Sequence, residues 1–133
     1  MRETAHQRAA IVLLELVEFD GSAFIFIQLI KNIAKIVDSE WAALAPDIMG
    51  LGPVKAVPVA LKRAGLTLDQ MDVIESNEAF AAQACGVAKE LGLDPVKTNP
   101  NGSGISLGHP IGATGAILTI KAAYELQRTG GRY

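Results

Sequence analysis

The chain has 133 residues, half of them hydrophobic, a formal net charge of −2 and one cysteine. That is one domain's worth of sequence with enough apolar material to bury a core, which excludes a disordered chain. Lysines and arginines are scattered (Lys31, Lys35, Lys55, Lys62, Arg63), so neither a nucleic-acid groove nor a basic membrane face is expected, and the lone Cys85 excludes an internal disulfide and fits a reducing compartment.

In chain order, Ala9 to Val17 is a short apolar run behind Arg2 and Arg8. A signal peptide shares that pattern, but Glu15 interrupts the run and no clean small-residue cleavage site follows. Strands are expected at Ile11–Val17, Ala23–Leu29 and Ile33–Val37, each rich in β-branched or aromatic residues. The run around Phe24 to Ile27 is too short to span a bilayer. Gly50-Leu51-Gly52-Pro53 breaks the chain, and a helix follows through Leu61 and Arg63 to a stop at Gly65. Pro58 inside it calls for a late start or a kink. Met71–Glu75 reads as a brief strand, Ala79–Leu91 as a helix ended by Gly92, and Asn99–Gly104 as a loop. A last helix is expected from Pro110, at its first position, to about Thr129, with Gly130 as its stop. Ala113, Ala116, Ile117, Ile120 and Tyr124 have the spacing of its buried face. The order of elements is that of an α/β protein.

Gly108-His109-Pro110-Ile111-Gly112 sets a histidine in a glycine-bounded turn at the mouth of that helix. The helix dipole there favours negative charge, so the imidazole is biased toward its neutral, basic form. Such a ring takes a proton from a thiol or hydroxyl, then donates one to an oxygen gaining charge. Asn77, where a strand meets a helix, is either a helix cap or a site residue. Glu78 complements the helix dipole, while Phe80 and Met49 are core residues by default. Cys85 sits mid-helix, away from the cations or helix start that activate a thiol. Ser103 or Ser106 could pair with His109, although no Gly-x-Ser-x-Gly elbow is present. A dinucleotide fingerprint and a phosphate-loop lysine are absent, and His6 and His109 without a cysteine cluster give no metal site.

Three stretches in order resemble one family: Pro46-Asp47-Ile48-Met49-Gly50-Leu51-Gly52-Pro53, Asn77-Glu78-Ala79-Phe80-Ala81-Ala82-Gln83, and residues 101–115 from Asn101-Gly102-Ser103-Gly104 to Ala113-Thr114-Gly115. Over roughly residues 33–133 the chain resembles the C-terminal half of a thiolase, an acetyl-CoA acyltransferase. The resemblance divides the chain into an unassigned segment, 1–30, and a partial thiolase C-terminal domain, 31–133. It implies an α/β half-domain, a mixed sheet packed with helices, incomplete at its C-terminal end.

It also implies reversible Claisen chemistry, in which a 3-ketoacyl-CoA and CoA exchange with acetyl-CoA and a shortened acyl-CoA through a cysteine-bound acyl group. His109 then resembles the base that activates the cysteine and a donor to the thioester oxygen. Asn77 resembles the residue that fixes a water in the oxyanion hole, and Met49, Phe80 and Gly108 resemble substrate-binding positions. No cofactor is implied, coenzyme A thioesters being substrates. The family's nucleophilic cysteine belongs to the N-terminal half and its second catalytic cysteine lies beyond the position of Tyr133. Cys85 matches neither, so the chain alone is expected to be inactive. Pro58 departs from the family's usual helix residue. Expected partners are acyl-CoA or CoA and the N-terminal half, with a homo-oligomer in the full-length enzyme and no nucleic acid or membrane. The compartment is expected to be the cytoplasm, although mitochondria and peroxisomes host such enzymes too. Two other readings stay open: a non-catalytic module that binds CoA or thiolase subunits, and a small hydrolase built on Ser103 or Cys85 with His109.

Overall fold

The structure, a computed structural model, describes residues 9–13, 34–40 and 42–133. β1 (Ala9–Leu13) and β2 (Ala34–Ser39) pair in parallel, with Ala9 opposite Ala34 and a register shift between Ile11 and Val12. β2 meets the strand expected at Ile33–Val37, and β1 starts two residues before the first expected run. The expected strand Ala23–Leu29 lies outside the described residues.

Tight 3-10 turns over Pro46–Leu51, kinked at Ile48, lead directly into α1 (Gly52–Ala64). The late start or kink expected from Pro58 does not occur. Pro53 supplies the helix start, and Pro58 sits at an exposed position of an unbroken helix, where one missing N–H is tolerated. α1 buries Ala56, Val57, Ala60 and Leu61, a three-and-four spacing. Val57 and Leu61 form a core cluster with Met71 and Ile74, flanked by Leu91, Leu93 and Tyr133.

Met71–Glu75 is extended but not a strand. It makes one parallel bridge, Ile74 with Thr98, through Ile74 N–H to the Lys97 carbonyl (2.9 Å) and Asn99 N–H to the Ile74 carbonyl (2.8 Å). Asn99 then adopts a left-handed φ of 50°, which turns the chain away. On the other side, the Asp72 and Val73 N–H groups both reach the Tyr133 carbonyl (2.6 and 3.1 Å). The Asp72 carboxylate accepts N–H from Arg132 and Tyr133, which lowers its pKa. The described strand pairings are thus parallel, and the expected mixed sheet is not found among the described residues.

α2 (Ala81–Leu91) starts at Phe80's cap position, two residues later than expected, and ends at Gly92. A single turn, α3 (Gly104–Leu107), precedes α4 (Ile111–Thr129), with Pro110 at the cap position rather than inside the helix. The expected buried face of α4 is wrong. The helix buries Thr114, Leu118, Thr119, Ala122, Ala123, Glu125 and Leu126, and leaves Ile117, Ile120 and Tyr124 exposed. It is apolar on two sides, and the small-residue side packs inward with its polar groups paired. Thr114 and Thr119 hydroxyls donate to the carbonyls four residues back, and Glu125 is bound by Arg128.

Candidate active site

Asn77 is not the cap of α2, a position that Phe80 holds. Only 6% of it is exposed, within a strap stitched to the loop that leads to His109. The Ser76 N–H donates to Asn99 Oδ1 (2.7 Å), and the Ser103 hydroxyl donates to the Ser76 carbonyl (2.8 Å). Glu78 does more than complement a dipole. Its carboxylate accepts the Ile105 N–H (3.2 Å) and the Asn99 amide (3.4 Å). Strap and loop are close enough to require glycine at 104, where a Cβ would stand 2.7 Å from the Glu78 carbonyl oxygen.

Lys121, on α4, ties the same two segments from below. Its ammonium donates to Glu75 Oε2 (2.6 Å) and to the Gly102 carbonyl. Burial pushes the Glu75 carboxyl above the ordinary carboxylate range, and the bond from Lys121 opposes that shift. One turn further along the helix, the Glu125 carboxyl is held down to about 2 by Arg128, on the same helix, and by Asn101, in the loop.

Gly108, at φ 94°, adopts a conformation that a side chain would strain, and it delivers His109 to the start of α4. His109 Nδ1 lies 2.7 Å from Thr114 Oγ1. Asn77 Nδ2 lies 3.4 Å from Nε2 and 3.5 Å from Nδ1. Next to this contact lies a small hollow, about the size of one water, lined by Asn77, Ser103, Gly104, Gly108, Thr114 and Lys121, among others, but not by His109. Asn77 Oδ1 is buried without a protein partner. A carboxamide set against an imidazole, with a buried acceptor left free, can hold a water or a polarised oxygen.

The structure therefore brings together Asn77, Gly108 and His109. Met49 and Phe80 do not line the hollow, and they are not core residues either, being 72% and 73% exposed. Ser103 is buried with its hydroxyl committed to Ser76, and Cys85 is exposed on α2 and absent from the lining. His6 lies outside the described residues. Among the described residues there is no cluster of metal-ligating side chains, and no helix is long and apolar enough to cross a membrane. Sequence reasoning missed Thr114, Lys121 and Glu75. Thr114 in the first turn after His109, and a lysine alone on an apolar helix, were the available signals.

Residues 30–133 match the family model of the thiolase C-terminal domain. Over 125 residues the chain is 56% identical to the beta-ketothiolase BktB of Cupriavidus necator, covering 94% of this chain and 30% of that protein. It is 50% identical over 101 residues to the mitochondrial 3-ketoacyl-CoA thiolase of Rattus norvegicus, covering 76% of this chain and 25% of that one. It superposes on the crystal structure of human mitochondrial 3-ketoacyl-CoA thiolase with a TM-score of 0.70 at 49% identity, over 71% of this chain and 24% of that chain. A structure of the human enzyme in complex with CoA matches with a TM-score of 0.69. The chain thus spans between a quarter and a third of the length of these curated relatives. With the fold, the motif order and the identity in agreement, this chain belongs to the thiolase family and corresponds to its C-terminal domain.

Proposed function

We propose that the chain supplies the base and oxyanion-hole half of an acetyl-CoA C-acyltransferase. The reaction is reversible Claisen condensation and thiolysis between acetyl-CoA and acyl-CoA or 3-ketoacyl-CoA, with the acyl-carrying cysteine supplied from outside the 133 residues. The observation that carries this reading is the buried Asn77, with its Nδ2 against the His109 imidazole and its Oδ1 buried without a protein partner. His109 takes the thiol proton of the incoming cysteine, and the thiolate attacks the 3-keto carbon. As the C2–C3 bond breaks, the electron pair moves onto the thioester oxygen to give the enolate of acetyl-CoA. The protonated His109 and a water held by Asn77 donate hydrogen bonds to that oxygen. The enolate takes a proton at C2 from the second catalytic cysteine, also supplied from outside the 133 residues. The acyl group then passes from the first cysteine to the thiol of CoA, which releases that cysteine. Gly108 shapes the rim, and the exposed Met49 and Phe80 form apolar surface for the acyl and pantetheine chain.

The substrate is a CoA thioester, the site needs no metal or other cofactor, and the partners are the N-terminal half and, in the full-length enzyme, a second copy. The compartment is cytoplasmic; relatives include proteins named mitochondrial and cytosolic. The test mixes purified chain with acetoacetyl-CoA and CoA, with and without two separately made pieces of a related thiolase, its N-terminal half and its C-terminal cysteine segment. We expect no turnover alone and thiolysis on addition of both pieces, unaffected by Cys85→Ser. Turnover by the chain alone that is lost in Cys85→Ser would favour a hydrolase. Silence in both arms with retained subunit binding would favour a non-catalytic module.

A further inference from the structure

Three segments have to agree for Asn77 to stand against His109: the strap at residues 75–78, the loop at 99–105 and α4. Asn77 Nδ2 lies 3.4 and 3.5 Å from the two ring nitrogens, at the far end of hydrogen-bond distance, so this contact is too weak to set its own geometry. Strap and loop are joined by Ser76, Glu78, Asn99 and Ser103, and the loop is joined to α4 by Asn101 on Glu125. Among the described residues, one hydrogen bond runs from α4 to the strap, the 2.6 Å contact of the Lys121 ammonium with Glu75 Oε2. The same ammonium donates to the Gly102 carbonyl, so one cation touches all three segments. The Lys121 and Glu75 side chains are only 15% and 3% exposed. Water competes little there, and a charge-assisted bond is the strong, directional tie in such a place.

We infer that Lys121 is a positioning residue: bound to Glu75, it fixes the strap on α4 and thereby holds the Asn77 amide against the His109 ring. This deepens the acyl-transfer reading and rests on it for its purpose, because a misplacement of about 1 Å at a reacting centre costs about 10²-fold in rate. The placement itself is measured without CoA, so it can fail where acyl transfer holds, and hold where acyl transfer fails.

The test is a nuclear Overhauser spectrum of the full 133-residue chain, recorded for the native protein, for Lys121→Met and for the double variant Glu75→Met, Lys121→Met. We expect a cross-peak in the native chain between the Asn77 side-chain NH2 and the His109 ring C–H that lies between the two nitrogens, and its loss in both variants. The double variant separates positioning from stability, because apolar side chains of similar volume replace a buried ion pair at little cost while leaving no charged tie. We expect its urea midpoint to return toward the native value while the cross-peak stays lost. In the reconstituted enzyme we expect the double variant to lose about 10²-fold in kcat for acetoacetyl-CoA thiolysis, with KM unchanged. A native chain without the cross-peak overturns the inference, as does either variant, folded, with the cross-peak intact. Native kcat in a double variant that has lost the cross-peak overturns the catalytic purpose and supports the placement alone. Should Lys121→Met not fold, the native spectrum and the double variant decide by themselves.

Discussion

Asn77 and His109 stand 32 positions apart and meet because the strap that carries Asn77 packs against the start of α4. In the enzyme reconstituted with both pieces of a related thiolase, we expect His109→Ala to lower thiolysis by about 10²–10⁴-fold, the usual worth of a general base. Asn77→Ala should lower it by about 10²–10³-fold, as loss of one oxyanion-hole group does. Both residues were legible in the sequence, because a histidine in a glycine-bounded turn and an asparagine at an element boundary are chemically conspicuous. Thr114 was not, since a hydroxyl in a helix announces nothing until its partner is placed. The exposure of Met49 and Phe80 was equally hidden, because residue type alone assigns them to a core. Glu125 supplies a prediction about stability. Its carboxyl is held down to about 2 against an ordinary 4.5. Its contribution is therefore complete above about 4.5 and is lost as the pH falls through 2. We expect Glu125→Gln to be less stable than the native chain at neutral pH, with the gap in urea midpoint closing across that window.

Among the elements, α4 does the organising, since Thr114, Lys121 and Glu125 all project from its inner side onto the strap or the loop. Removing the cation with Lys121→Met leaves the Glu75 carboxylate buried without its partner and the Gly102 carbonyl without its donor. We expect a loss of about 3–5 kcal/mol in urea unfolding near neutral pH. Burial raises the Glu75 carboxyl, so its favourable share is present below the ordinary range and lost as pH rises. The Lys121→Met deficit should accordingly shrink as acidification protonates the Glu75 carboxyl at pH values above 4.5, and be smallest below about 4.5. Gly104→Ala should cost about 1–3 kcal/mol, because its methyl meets backbone at Glu78, which cannot rotate away. The inner face of α4 could not be read from periodicity. Two apolar stripes compete on it, and the burial of two threonines and a glutamate depends on partners that the pattern does not reveal.

For the molecule as a whole, the three main helices were legible because glycine punctuates them. Gly65, Gly92 and Gly130 each take the left-handed conformation that ends a helix. Strand pairing was not legible, being non-local: Ile74 finds Thr98 only after α2 has intervened, and Asn99 limits that pairing to one bridge. The most direct test of the central claim, that Asn77 and His109 act as one unit on a thioester carbonyl, is a double-mutant cycle. It compares acetoacetyl-CoA thiolysis by the reconstituted enzyme carrying His109→Ala, Asn77→Ala or both. We expect the double variant to be little slower than the slower single variant. Losses that simply multiply, or single variants as active as the native chain, would contradict it.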